Sequence, residues 1–401
     1  MISWNMKTRS IRPIGLDIGH NSVKMIQLGA SAGRISVLAA EKMHIKANVD
    51  DNPEAFRQDV VSAVKQMLAK GSFRGRSVVS CLPNDKVKIT SVRIGETESD
   101  QIEQVLRKET VQRFGLDPQT DSIEYVDAGS VHHGDELKNE LILFAVDAQT
   151  IKDHIGVLEE AGLEPVAIDT VPFALFRGFE RWQRREADKE NTVVFVDVGS
   201  RSTTVVFGRG GEISFVKQIP VGGHRFSEGV AEKLGINIVE AERVRERLRI
   251  ERGSAEGRGD ASEEESCDTE ECYSAKSATK HERLDASTRQ VVVDALSSVA
   301  EELAKEVSLC LKYFTVTFRG KRVERAVLSG GEAYESILLN VLRRQLTVEI
   351  EVAQPLKGFD LSSSGEGVNL AGDRRGLLCE WAVAVGLGLK NMSRTSVGAK
   401  A

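Results

Sequence analysis

Gly15-Leu16-Asp17-Ile18-Gly19-His20-Asn21-Ser22-Val23-Lys24 is the stretch on which the reading of this chain turns. An apolar strand runs into Asp17, a glycine turn follows at Gly19, and Ser22 and Lys24 stand where a second strand begins. Such a turn gathers backbone N–H groups, a hydroxyl and a cation around one point, with a carboxylate ready for a hydrated metal. That is the equipment for a phosphate chain. One D-x-G is also what an ordinary β-turn with an Asx cap looks like.

A second copy strengthens the phosphate reading. Leu16–Met25 set over Val196–Val205 puts Asp17 on Asp197, Gly19 on Gly199 and Ser22 on Ser202 at a single offset, with apolar strand residues on either side of both. Further on, Gly33-Arg34-Ile35 parallels Gly211-Glu212-Ile213. Two copies of strand, Asp, Gly-turn and strand predict two similar lobes facing each other across a cleft, each with one phosphate-binding hairpin. A third motif suits the same cleft: strand Val323–Leu328, then Ser329-Gly330-Gly331-Glu332-Ala333, then a helix with Ile337, Leu338, Val341 and Leu342 on one face. Two glycines let a ligand approach the backbone, and the helix N-terminus that follows favours an anion.

With 401 residues the chain is long enough for two to four domains. Its 41% hydrophobic and 28% charged content is that of a soluble globular protein. A net charge of −6 without a Lys/Arg-rich stripe argues against a nucleic-acid surface. Five scattered cysteines suit a reducing compartment better than a disulfide scaffold. The first residues hold no apolar run of signal-peptide length, and the most apolar segments, Val193–Val198 and Leu141–Val146, are far shorter than the roughly 20 residues a spanning helix needs. The expectation is a cytoplasmic protein with no span, reaching a membrane only through a partner or a surface helix.

Between the two hairpins the pattern changes twice. A helix over Asn52–Lys70 ends at Gly71, and a strand Ser77–Leu82 ends at Pro83. Then come a half-buried strand Val87–Ile94, a helix Ser99–Phe114 capped by Ser99 and stopped by Gly115, strands Ser122–Val126 and Leu141–Val146 joined through a polar loop at His132–Asp135, and a helix Gln149–Ala161. This is a β-α-β-β-α unit inserted ahead of the strand Pro165–Ile168. Adjacent His132 and His133, with no third ligand near, read as loop residues and not as a metal site. A helix Phe173–Arg185 and a charged connector lead into the second hairpin. Pro220–Gly223 turns into a helix Phe226–Leu234, and a charged helix Val239–Arg252 follows. Residues 253–283 are rich in Ser, Gly and acidic side chains and read as a disordered loop that carries Cys267 and Cys272, two thiols with no His close by. Leu284 to Phe314 has helical spacing, Thr347–Val352 alternates as a strand, and Leu378–Leu389 closes as a helix whose Ala384, Gly386 and Gly388 permit close packing.

Two D-x-G hairpins with a late strand–Gly-Gly–helix resemble the actin and sugar-kinase nucleotide fold. Within it the chain resembles the PilM family, the actin-like cytoplasmic proteins of type IV pilus assembly. The resemblance rests on G-L-D-I-G-H-N-S-V-K, S-C-L-P-N-D-K-V-K-I-T, A-I-D-T-V-P-F-A-L, V-D-V-G-S-R-S-T-T, I-P-V-G-G-H-R-F, E-A-E-R-V-R, S-L-C-L-K-Y-F and V-L-S-G-G-E-A in that order. The inserted unit sits where PilM and the division protein FtsA carry their extra subdomain. FtsA usually ends in an amphipathic membrane helix, whereas N-M-S-R-T-S-V-G-A-K-A here is too polar for one.

The resemblance implies a two-lobed α/β fold with duplicated ribonuclease-H-like lobes. The first lobe would take residues 12–77 and 164–190, and the inserted subdomain 78–163. The second lobe would take 191–225 and 316–377, with a helical subdomain at 226–315, and the helix 378–390 would return to the first lobe. It implies ATP and Mg²⁺ between the lobes. Gly19, His20, Asn21, Ser22 and Lys24 would meet the phosphates from one side, and Gly199, Ser200, Ser202 and Thr203 from the other. Asp17 and Asp197 would hold Mg²⁺ through waters, and Ser329, Gly330, Gly331 and Glu332 would lie beside the α-phosphate, ribose and adenosine.

The group that orients water for hydrolysis would come from Asp169-Thr170-Val171-Pro172. Valine at 171 cannot hold a water, and the His20 ring is expected to face solvent, so slow or absent turnover is expected. The implied role is a scaffold of the pilus or a related type II secretion machine. It would bind the cytoplasmic tail of a PilN-like inner-membrane protein in a groove between the first lobe and the inserted unit, beside other assembly proteins and with weak self-association. The other readings are an FtsA-like division protein, and a small-molecule kinase with Asp169 as its catalytic carboxylate.

Overall fold

The computed structural model describes residues 10–31, 33–95, 101–133, 136–180, 191–256, 284–318, 322–361 and 378–390. The chain opens with β1 (Ser10–Ile18), β2 (Ser22–Ser31), β3 (Arg34–His44), α1 (Pro53–Lys70) and β4 (Ser77–Cys81). The unit that follows holds β5 (Lys88–Gly95), α2 (Ile102–Phe114), β6 (Ser122–His133), β7 (Glu136–Val146) and α3 (Ala148–Glu160). Next come β8 (Glu164–Asp169), α4 (Val171–Glu180), β9 (Thr192–Val198), β10 (Thr203–Arg209) and β11 (Glu212–Ile219). The rest is α5 (Gly223–Leu234), α6 (Ile238–Glu256), α7 (Ala286–Thr317), β12 (Val323–Ser329), α8 (Ser336–Gln345), β13 (Glu349–Val352) and α9 (Ala382–Gly388).

Two five-stranded sheets carry the duplication. Their orders, β3-β2-β1-β4-β8 and β11-β10-β9-β12-β13, are the same arrangement of an antiparallel meander with two parallel strands added beside its first strand. This is the two-lobed actin-like fold. A central strand covered on both faces cannot alternate, and β9 (T-V-V-F-V-D-V) is buried at every position. Caps fix the helix starts: Asn52, Asp147 and Asp285 side chains accept the N–H groups of Ala55, Thr150 and Thr288.

The inserted unit divides differently from the sequence expectation. β4 pairs with β1 and β8, so it is a strand of the first lobe and not the start of the insert. α3 and the turn after it also pack on the first lobe, with Leu158, Ala161 and Leu163 in the cluster of Val60, Val64 and Leu16. What stands apart is a three-stranded antiparallel sheet, β5-β7-β6. One face is covered by α2 through Leu106 against Val92, Ile94 and Leu143. On the other, Val131, Ile142 and Phe144 join the core of the second lobe. Both strands of the hairpin extend past their expected ends at Val126 and Leu141: β6 runs through His133 and β7 starts at Glu136.

α6 continues through Glu256, so residues 253–256, expected to be disordered, are helical. α4 is described only to Glu180. Ser99, the connector at 186–190, residues 257–283 with Cys267 and Cys272, and the tail from 391 lie outside the described residues, as do the side chains of His132 and His133. α9 returns to the first lobe, where Trp381, Ala384, Val385 and Leu389 pack with Ile26, Leu28 and Val37. Its approach to β1 is so close that a Cβ on Gly15 would lie 2.4 Å from both the Ala384 carbonyl oxygen and the Gly388 nitrogen. No described helix is long and apolar enough to cross a membrane.

Candidate functional site

The two glycine turns repeat in their hydrogen bonds as well as their letters. Gly19 N–H donates to the Ser22 carbonyl at 3.0 Å, and Gly199 N–H donates to the Ser202 carbonyl at 3.0 Å. Both turns open onto one cavity of about 300 Å³ between the lobes. From the first lobe Asp17, Gly19, His20, Asn21, Ser22 and Lys24 line it; from the second, Asp197, Gly199, Ser200 and Ser202; Gly330, Gly331 and Glu332 close a third side.

Two expected residues are not brought to the cavity wall. Thr203 is fully buried and donates its hydroxyl to the Val221 carbonyl at 2.6 Å. Ser329 is fully buried and donates to Asp197 Oδ1 at 2.9 Å, so it holds the carboxylate and does not face the cavity. The expected helix N-terminus is displaced as well. A 3₁₀ turn, Gly331–Tyr334, intervenes before α8, and the Glu335 side chain caps that helix by accepting Ile337 N–H. The glycine turn itself, not a helix end, meets the cavity. Gly330 has φ 93°, and a Cβ there would lie 2.3 Å from the Val198 carbonyl oxygen, so glycine is required.

Charge is arranged across strands. In the register of the first sheet Asp17 lies opposite Lys24, and Lys24 opposite Lys42. Lys24 Nζ is 3.2 Å from Asp17 Oδ2. Burial would lower the Lys24 pKa, but Asp17 and then Glu380 outweigh it and raise it. Burial pushes the Asp197 carboxyl up to about 6 against the Ser329 hydrogen bond, and the charge of Asp17 adds to the rise. The two carboxylates therefore sense one another. His20 is half-buried and lines the cavity, and burial lowers its pKa.

The second turn is braced from behind, since Gly223 N–H donates to the Gly199 carbonyl at 2.9 Å and His224 N–H to the Ser200 carbonyl at 2.7 Å. On the third side Glu332 is bound by Arg245 at 2.6 Å and by Arg249. Burial alone would raise the Glu332 pKa, and the two guanidinium groups bring it below its ordinary value. Across the mouth, Ser200 Oγ donates to Asn21 Oδ1 at 3.2 Å, and Arg201 reaches Asn48 Oδ1 at 3.0 Å and pairs with Asp50.

Val171 lines the cavity at the start of α4. Asp169 does not: its carboxylate is held by Arg177 at 2.9 Å and Lys390 at 3.0 Å, away from the cavity lining where a kinase base would have to stand. The sequence reading missed Lys42, Asn84, Arg201, Arg249 and Glu380, all at the cavity wall. Strand pairing alone would have found Lys42, once Lys24 was placed. Nothing local marks Glu380, which arrives from far along the chain.

The donor set fits Mg²⁺ with a phosphate chain. Two mutually repelling carboxylates, a lysine and the Ser22 hydroxyl share one cavity, and beside them Gly331 has no described atom within 4 Å of where a Cβ would stand. Among the described residues no cluster of three or more His, Cys, Asp and Glu groups could hold a metal by itself. A Mg²⁺ here would depend on waters and phosphate oxygens.

Comparison with known proteins agrees with the geometry. The family model described as "Type IV pilus assembly protein PilM" matches residues 15–253, and that described as "Cell division protein FtsA" matches residues 194–365. Among solved structures the chain is similar to the "PilM-PilN type IV pilus biogenesis complex", with a TM-score of 0.65 and 19% identity over 94% of this chain and 98% of that one. It is also similar to the ethanolamine utilization protein EutJ from Carboxydothermus hydrogenoformans, with a TM-score of 0.51 and 14% identity over 95% of this chain and 89% of that one. The duplicated sheets, the paired Asp–Gly turns and the match from residue 15 to 253 lead to one conclusion: the chain belongs to the PilM family of type IV pilus assembly proteins.

Proposed function

We propose that this protein is an ATP-binding scaffold of the type IV pilus inner-membrane assembly complex that turns nucleotide over slowly or not at all. One observation carries the nucleotide half: two equivalent glycine turns, each following an aspartate, open onto a single cavity that Lys24, paired with Asp17, also lines. Bound Mg²⁺ would supply positive charge to offset that of the phosphates. Asp17 and Asp197 would hold it through waters. Gly19, Ser22 and Lys24 would bind the phosphates from one lobe and Gly199, Ser200 and Ser202 from the other, and Gly330 and Gly331 would leave room beside the ribose.

Slow turnover follows from the chemistry around Val171. Val171 offers no polar atom where an attacking water must be oriented, and Asp169 is committed to Arg177 and Lys390. Phosphate release at the rate of an ordinary ATPase, about 1 s⁻¹ or faster, would contradict this part.

The partner half rests on family membership and on a solved relative described as a PilM-PilN complex. The occupant is the cytoplasmic tail of a PilN-like inner-membrane protein, bound between the first lobe and the inserted sheet. The inserted sheet packs on the second lobe, so a change in lobe angle on nucleotide binding shifts the sheet and the groove beside it. A synthetic peptide of that tail, titrated into the full chain with and without Mg-ATP, should bind, and its affinity should differ between the two conditions. No binding in either condition would remove the scaffold reading.

An FtsA-like role is the second reading, favoured by the FtsA match over residues 194–365. Filaments on lipid vesicles in the absence of any partner would support it.

A further inference from the structure

We infer that Lys42 is a second lysine of the phosphate site, specific for the terminal phosphate of a nucleoside triphosphate, and that Glu380 is the carboxylate with which that phosphate competes. The inference rests on the proposal that the cavity takes a nucleotide. Lys42 is the direct partner of Lys24 in the β2–β3 register, as Lys24 is of Asp17 in the β1–β2 register. Direct partners on neighbouring strands project to the same face, roughly 5 Å apart. A row of Asp17, Lys24 and Lys42 thus crosses the sheet, and all three side chains line the cavity.

Lys42 Nζ is 2.6 Å from Glu380 Oε2, with the two side chains 17% and 11% exposed. Glu380 also lines the cavity. It sits in a 3₁₀ turn, Cys379–Trp381, that is joined to the glycine motif, since Gly330 N–H donates to the Cys379 carbonyl at 3.2 Å. The carboxylate therefore reaches Lys42 from the same side as the glycine turn of the second lobe. An anion beside Lys24 that extends one strand further meets Lys42 next. It gains a charge-assisted hydrogen bond and is repelled by Glu380. On this inference a diphosphate held at Lys24 stops short of both.

A plain structural brace between β3 and the C-terminal turn would have the same ion pair, so the test must read discrimination and not stability. Affinities of Mg-ATP and Mg-ADP are measured by calorimetry on the full chain, on Lys42→Gln, on Lys42→Arg and on Glu380→Gln. Lys42→Gln should weaken ATP by about tenfold or more and ADP by less than about twofold. Lys42→Arg should restore most of the loss, and Glu380→Gln should raise the preference for ATP. Equal effects on the two nucleotides, or none, overturn the inference. If Lys42→Gln does not fold, Glu380→Gln decides, and an unchanged ATP-to-ADP ratio overturns it. Failure of the unaltered protein to bind either nucleotide is a different result: it overturns the nucleotide reading, and the inference falls with it.

Discussion

Ser329 Oγ donates to Asp197 Oδ1 at 2.9 Å, and the two residues are direct partners in the parallel pairing of β12 with β9. The first lobe is built otherwise. There Ser80 stands opposite Leu16 and donates to the Leu16 carbonyl at 3.1 Å, while Asp17 takes the Lys24 ammonium. The repeat thus preserves the turn and changes the support of the carboxylate, a cation on one side and a neutral hydroxyl on the other. Burial pushes the Asp197 carboxyl up to about 6 even against the Ser329 hydrogen bond.

Mg²⁺-dependent nucleotide binding should weaken as pH falls through about 6, where Asp197 takes up a proton. Ser329→Ala removes a hydrogen bond that favours the charged form, so the midpoint should move upward. Titrations of Mg-ATP between pH 5 and 8, as a range spanning roughly one unit or more either side, would show it. A midpoint unmoved by the substitution would contradict the role given to Ser329.

His154 is buried and its Nε2 lies 3.1 Å from Ser80 Oγ, tying α3 to β4. Burial lowers its pKa to about 4. The unfolded chain therefore binds a proton that the folded chain refuses between about pH 6.5 and 4, and stability falls as pH falls through that window. The loss attributable to His154 is about 3 kcal/mol below the window. The raised Asp197 acts in the opposite sense over an overlapping range, because its stabilising protonated form is lost as pH rises toward 6. Urea denaturation of the protein against His154→Gln, at neutral and acidic pH, cancels that common contribution. The gap between the two curves should shrink as the pH is lowered.

Gly15→Ala should destabilise by about 1–3 kcal/mol or more, because its Cβ would meet the backbone of α9 and cannot be relieved by a side-chain rotation. Thermal melting would report it. A melt within experimental scatter of the parent would mean that α9 does not pack on β1 as described.

Glu332→Ala leaves Arg245 buried without its carboxylate partner, although Arg245 keeps its bonds to the Gly223 carbonyl and Ser227. A cost of about 3 kcal/mol in unfolding free energy, read as a lower urea midpoint, is expected. Glu332→Gln, which keeps the shape, should recover part of it.

Much of this was legible in the sequence. Asp17 with Asp197, Gly19 with Gly199 and Ser22 with Ser202 repeat at a single offset, and local turn chemistry needs no distant contact to be recognised. What stayed hidden depends on pairing. Whether a hydroxyl faces the cavity or the strand beside it is set by register, so Thr203 and Ser329 could not be told from Ser22 and Ser202 in one dimension. Sheet membership hid the edge of the insert in the same way. β4 reads as one more short apolar strand, and only its bonds to β1 and β8 assign it to the first lobe. Glu380 and Arg249 reach the cavity from the end of the chain and from a charged helix, and neither has a local signature.

The central claim is that the two Asp–Gly turns form one Mg²⁺–nucleotide site, and calorimetric titration of ATP tests it most directly. With Mg²⁺ the protein should take up one ATP per chain. Chelation of the metal, Asp17→Asn and Asp197→Asn should each weaken binding by about tenfold or more. Absence of binding heat with Mg²⁺, or binding indifferent to both substitutions, would contradict the account.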